Sequence, residues 1–192
     1  IAAVLPRGDP RDRLLGATSL AALPPGTLVG TSSPRRAAQL LHRRPDLRVA
    51  NLRGNVETRM RQVTEGRVGA TFLAAAGLER LGLEAGVPLL ADDWLPASAQ
   101  AIIGVTCRAD DQRVRGLLAA INHAPTFEQL VAERAVLEGI GGSCHTSVAV
   151  HATSLAPGRA PGLWLRAQLF STDGAERVEG EASGAGDPRR LG

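Results

Sequence analysis

The chain has 192 residues, 44% of them hydrophobic and 21% charged, with a formal net charge of +3; that length suits one large or two small globular domains. All 22 basic residues are arginine, which excludes Schiff-base chemistry at a lysine and a Walker-type phosphate lysine within this chain. Aromatic residues make up 3% and tyrosine is absent, so a nucleic-acid partner, which the charge would permit, finds few stacking platforms and none is expected.

Residues 6 to about 94 alternate strand and helix. TLVG reads as a strand, and the helix from Pro34 to about Arg44 follows it, with Ser32 or Ser33 as N-cap and Pro34 in the first turn, where its missing N–H costs nothing. LRVANL reads as a second strand, and Asn55 then caps VETRMRQVTEG, which stops at Gly66. VGATFLAAAG is a nearly continuous apolar run, followed by LERLGL. Continuous apolar strands separated by helices imply a parallel sheet covered on both faces. RGDPRD, with Asp9 and Asp12, reads as helix or loop.

A Pro-bounded break at Leu95 and Pro96 looks like a domain crossing. LPASAQAIIGVTC is a further apolar segment, and DDQRVRGLLAAINH reads as a helix. From Pro125 the pattern changes. Thr126 and Gln129 form a capping box for a helix that ends in the glycines 139, 141 and 142. SVAVHATS, LWLRAQLFSTDG and ERVEGEA then alternate with turn signals, including a TDG hairpin, as a small antiparallel α+β unit.

Arg35 and Arg36 stand in the first turn of their helix, where the macrodipole is already positive and disfavours cations. Arg53 follows the second strand, Arg59 lies near the start of the next helix, and Arg80 follows the third strand. In an open α/β sheet, ligands bind beyond the carboxyl ends of the strands. Five guanidiniums at one such edge call for an anion, with Thr31, Ser32 and Ser33 adding hydroxyl and amide donors for carboxylate or phosphate. Against this stands simple arginine richness of the whole chain.

The two cysteines, Cys107 and Cys144, make no disulfide framework and suit a reduced, cytoplasmic setting. Cys107 lies inside an apolar run and reads as inert. Cys144, on a Gly-bordered loop after a helix, is open between an inert and a reachable thiol. CHTSVAVH offers soft ligands without a familiar zinc spacing, so no metal is expected. No apolar run reaches membrane-spanning length and no basic-then-apolar leader is present, so neither a membrane nor secretion is expected. The chain starts at Ile1 inside an apolar stretch and reads as a fragment.

RGDPRD, VGTSSPRRAAQL, LRGNVETRMRQ, AAAGLERLGL, LPASAQAI and AERAVLEGIGGSCHTSVAVHA, in this order and spacing, closely resemble the porphobilinogen deaminase (hydroxymethylbilane synthase) family from about residue 3 to the end. That family joins four porphobilinogen units head to tail with loss of ammonia, in tetrapyrrole and heme biosynthesis. Growth takes place on a dipyrromethane cofactor held by a thioether to a loop cysteine. The resemblance implies a doubly wound mixed-sheet domain like that of periplasmic binding proteins, then a small α+β domain with a three-stranded antiparallel sheet. It divides the chain into the end of domain 1 and hinge (1–5), domain 2 (6–95), a return segment of domain 1 (96–122) and a truncated domain 3 (123–192).

The resemblance further implies that Cys144 carries the cofactor, that Thr31, Ser33, Arg35, Arg36 and Arg59 hold it, and that Arg7, Arg53, Arg59 and Arg80 bind substrate and chain carboxylates. The family's catalytic Asp sits in a His-Ser-Leu-Lys-Asp-like motif that nothing here matches, so no catalytic residue is assigned and the fragment alone is expected to be inactive. The expected partners are porphobilinogen and oligopyrrole intermediates, with the protein a monomer. The chain departs from the family pattern at Ala99 and Ala101, where Gly-Gln-Gly is usual around Gln100, at Gly8, and around Cys144, where Ser143 is extra and Ser147 replaces Pro. The rival readings are a non-enzymatic small-anion receptor, which needs the arginines but not Cys144, and a nucleic-acid-binding module with strongly salt-dependent affinity.

Overall fold

The structure is a computed structural model and describes residues 1–90, 92–143, 145–155 and 162–192. β1 (Ala3–Val4) leads into β2 (Asp12–Leu15), β3 (Leu28–Gly30), α1 (Pro34–Arg43), β4 (Arg48–Ala50), α2 (Val56–Thr64), β5 (Ala70–Ala74), α3 (Ala75–Arg80) and β6 (Val87–Pro88). The chain continues through β7 (Gly104–Val105), α4 (Gln112–Ala119), α5 (Ala124–Gly139), β8 (Val148–Ser154), β9 (Leu163–Phe170) and β10 (Arg177–Gly184).

Local signals act as expected at most helix ends. Ser33 caps α1 by accepting from the Arg36 N–H, with Pro34 at its start, and Asn55 caps α2 by accepting from the Thr58 N–H at 2.8 Å. Gly141, at φ 60°, follows the end of α5, the left-handed position that glycine takes without strain. The capping box is corrected: His123 is the N-cap of α5, and Thr126 Oγ1 instead accepts from the Arg7 N–H at 3.1 Å. The apolar run after Arg67 is also split, since Ala70–Ala74 extends while Ala75–Arg80 coils. Alanine and leucine favour a helix once the strand has crossed the sheet.

The first sheet has the order β4-β3-β5-β2-β6. β3 pairs in parallel with β4 and β5, whereas β2 runs antiparallel to β5 and β6. The sheet is therefore mixed, and the parallel expectation holds only for its β4-β3-β5 part. Alternate residues supply two cores: Leu14, Val29, Leu40, Phe72 and Trp94 on one face, and Leu15, Leu73 and Leu78 with Val56 and Met60 on the other. This is the double coverage that the apolar strands imply.

β1 and β7 pair antiparallel as a separate two-stranded ribbon. The three-stranded antiparallel sheet, in the order β10-β9-β8, packs its Val148, Val150, Ala152, Leu163 and Leu165 against Ala132 of α5. This sheet also meets the first unit directly. His42 of α1 bonds through Nδ1 to the Gly174 carbonyl at 2.9 Å, in the TDG turn between β9 and β10, and the Val150 N–H donates to the Pro96 carbonyl at 3.0 Å.

Candidate functional site

The connection from β3 goes through α1 to β4 on one side, and that from β5 through α3 to β6 on the other. The chain thus changes direction between β3 and β5, and the crevice outside their carboxyl ends is where such sheets bind ligands. Thr31 to Arg36 line this place. Thr31 is buried, its N–H donates to the Ala50 carbonyl at 2.9 Å, and its Oγ1 accepts from the Ser33 N–H at 3.1 Å.

Arg35 and Arg36 do not stand free. Their residues are 4% and 8% exposed, and both side chains converge on the carboxylate of Asp12, which is fully buried. Asp12 Oδ1 accepts from Arg36 Nη2 at 2.7 Å and from Gln100 Nε2 at 2.8 Å. Asp12 Oδ2 accepts from Arg35 Nη2 at 2.8 Å, Arg36 Nε at 3.1 Å and Trp94 Nε1 at 2.8 Å. Burial alone would raise the Asp12 pKa, but the charges of Arg35 and Arg36, with the hydrogen bonds from Arg36 and Trp94, hold it well below the usual carboxylate range. Arg35 Nη1 and Arg36 Nη1 donate to the Leu95 and Phe72 carbonyls at 2.7 and 3.3 Å, while Arg35 Nε is buried with no hydrogen-bond partner among the described residues.

The reading of Asp12 as part of a helix or loop is therefore corrected. It opens β2, and because β2 runs antiparallel to β5, its register sets Asp12 beside Ala74. The start of an antiparallel strand lies at the carboxyl edge of its parallel neighbours, which is the edge that carries the arginines. The signal available in the sequence was the short run DRLL after Pro10.

The remaining arginines separate into two groups. Arg59 is half-buried, its Nε donating to the Gly54 carbonyl at 3.0 Å, and burial followed by the charge of Arg36 lowers its pKa. It thus shares the field of the Asp12 cluster. Arg53 is exposed beyond β4. Arg80 is exposed and ends α3 rather than following the strand directly, a helix C-terminal position where a cation is favourable without any ligand. Among the described residues none of these three forms an ion pair.

Arg7 is committed to protein acceptors. Its Nη1 lies 2.6 Å from Glu133 Oε1, and its Nε donates to the Gln100 carbonyl at 3.1 Å. Gln100 thereby touches both charge clusters, since its side chain bonds Asp12 and also accepts from Arg35 Nη2 at 3.3 Å. Its neighbours Ala99 and Ala101 adopt φ values of 61° and 68°, the left-handed region that glycine reaches without strain. Cys144 lies outside the described residues. Cys107 is half-buried just past β7 rather than within a strand. Among the described residues no group of three His, Cys, Asp or Glu side chains could hold a metal, and no helix is long and apolar enough to cross a membrane.

The α1 N-terminus and the two guanidinium groups present N–H donors at this place, and the Thr31 and Ser33 hydroxyls, which accept from the Ser33 and Arg36 N–H groups, each keep an O–H to donate. That chemistry fits carboxylates. Residues 1–116 match the family model described as "Porphobilinogen deaminase, dipyromethane cofactor binding domain", and residues 127–192 match "Porphobilinogen deaminase, C-terminal domain". Similar curated proteins include the porphobilinogen deaminase of Sphingopyxis alaskensis, 49% identical over 186 residues that cover 94% of this chain and 58% of that protein. That of Xanthomonas oryzae pv. oryzae is 44% identical over 189 residues, covering 96% of this chain and 61% of that protein. The chain spans 58% and 61% of the length of these relatives.

Proposed function

The chain belongs to the porphobilinogen deaminase family, and from that premise we propose that the family-length protein is a transferase joining four porphobilinogen units into hydroxymethylbilane with release of ammonia. The observation that carries the reading is the pair of buried guanidiniums beyond β3, Arg35 and Arg36, which meet a single carboxylate, Asp12, among the described residues. Each pyrrole of the substrate carries two carboxylates, and a growing oligopyrrole multiplies them. When bound, the dipyrromethane group supplies the pyrrole terminus from which the chain grows.

The roles are proposed from the family resemblance, and the placement of the described residues is consistent with them. Cys144 is the proposed thioether position. Thr31, Ser33, Arg35, Arg36 and Arg59 take cofactor carboxylates at the α1 end of the crevice. Arg53, Arg59 and Arg80 take those of substrate and product, with Arg53 and Arg80 at the exposed rim, where long flexible side chains can follow a lengthening ligand. Arg7 closes the joint between the units through Glu133 and acts on the ligand through Gln100. The β1-β7 ribbon is consistent with residues 1–5 and 96–122 belonging together as part of domain 1, with 6–95 as domain 2 and 123–192 as domain 3. No His-Ser-Leu-Lys-Asp-like motif occurs in the sequence, so this chain by itself is expected to be inactive. The working protein is proposed to be a cytoplasmic monomer.

The test is the intact mass of the family-length protein purified from cells, beside its Cys144→Ala variant. The expected result is a dipyrromethane-sized adduct that disappears with the thiol. An unmodified protein that still binds small carboxylates would replace this reading with that of an anion receptor.

A further inference from the structure

Arg35 and Arg36 bring two positive charges into the interior, and among the described residues one carboxylate meets them. One unit of positive charge is left, at a helix end that is itself positive. A buried charge without compensation is costly and draws an anion. Arg35 Nε, buried and without a hydrogen-bond partner among the described residues, is a donor left unsatisfied beside it.

We infer that Asp12 is a positioning residue for this anion: it fixes the guanidinium planes of Arg35 and Arg36 so that the pair offers one carboxylate seat instead of two independent cations. The inference rests on the reading that the crevice binds pyrrole carboxylates. Asp12 could otherwise be a competitor, an internal carboxylate that leaves when a ligand arrives. Its surroundings argue against that. Asp12 is locked into β2 by its register with Ala74, and two of its donors, Trp94 Nε1 and Gln100 Nε2, are groups that an incoming carboxylate has no reason to displace. Trp94 is itself fixed, stacked on Phe72 with ring centroids 4.8 Å apart. Asp12 also grips Arg36 through both Nε and Nη2, a bidentate fork that sets the plane of the group as well as its charge.

Calorimetric titration with a synthetic dipyrromethane bearing acetate and propionate groups tests this, in a Cys144→Ala background so that nothing is tethered in the crevice. Each protein is measured well below its own melting midpoint. Asp12→Asn removes a negative charge and leaves the site one unit more positive, so a purely electrostatic or competing role for Asp12 predicts tighter binding. The positioning role predicts roughly tenfold weaker binding, the worth of one misplaced charge-assisted hydrogen bond. Asp12→Glu keeps the charge but moves the carboxylate by one methylene. It is also expected to bind more weakly, and it carries the test if Asp12→Asn does not fold. Unchanged or tighter binding by either folded variant overturns the inference and leaves the proposed function standing. A chain with wild-type Asp12 that does not bind the probe at all overturns both.

Discussion

Arg7 and Glu133 form a buried ion pair, Arg7 Nη1 lying 2.6 Å from Glu133 Oε1 across 126 residues of sequence. The same carboxylate accepts from the Ala99 N–H at 2.5 Å and the Ala152 N–H at 2.8 Å. One side chain of α5 thus ties the stretch after β1, the turn around Gln100 and strand β8 to one another. Burial pushes the Glu133 pKa up, and the Arg7 guanidinium with the Ala152 and Ala99 N–H groups opposes that rise.

Breaking this pair on one side should cost far more than removing it whole. Glu133→Leu alone leaves a buried guanidinium unpaired and is expected to destabilise by about 3–5 kcal/mol. The double change Arg7→Leu with Glu133→Leu should cost clearly less than the sum of the single changes. Urea denaturation of the four proteins measures the difference, and strict additivity would contradict a direct interaction.

The alanines beside Gln100 should be improvable. At φ 61° and 68°, Ala99 and Ala101 carry strain of roughly 1–2 kcal/mol each. Ala99→Gly and Ala101→Gly should each raise stability by about 1 kcal/mol, the strain relieved less the greater chain entropy of glycine. Thermal unfolding reads the gain; a lower melting temperature would show that the left-handed conformation is not costly here.

Gly174 should not tolerate a side chain. Its φ is 75°, and a Cβ there would lie 2.5 Å from the Ala38 carbonyl oxygen and 2.9 Å from the His42 nitrogen. Gly174→Ala is expected to cost about 2 kcal/mol or more. It should also loosen the TDG turn from α1, seen as faster amide exchange at Gly174 and its neighbours.

Stability should fall on acidification through the histidine range. Burial, and then the charge of Arg7, push His151 down to about 4 from its ordinary 6.5. The unfolded chain therefore takes up the proton first. His151 contributes its full stability above about pH 6.5 and loses it progressively as pH falls toward 4, a change of about 2–3 kcal/mol. Denaturation midpoints measured across this range should show the slope, and His151→Gln should flatten it. Asp12, whose carboxyl is held below its ordinary range, contributes stability that is lost only as pH falls further.

The sequence alone determined the features that depend on near neighbours. The serine cap of α1, which the structure places at Ser33 of the two candidates, the Asn55 cap, the glycine stop after α5, the TDG turn and the apolar strands are each set within a few residues, where the backbone's own hydrogen-bonding needs decide the outcome. It also placed an unusual pair of cations at the start of α1. What only the tertiary structure decided is how those cations are balanced. Asp12 meets Arg35 and Arg36 because β2 runs antiparallel to β5, and Glu133 meets Arg7 because α5 packs back across the joint. Strand direction and helix packing are selected by the burial of whole faces, Leu14 with Phe72 on one side and Leu15 with Leu73 on the other. A buried carboxylate is affordable only where such packing has already gathered its donors, and no local pattern records that.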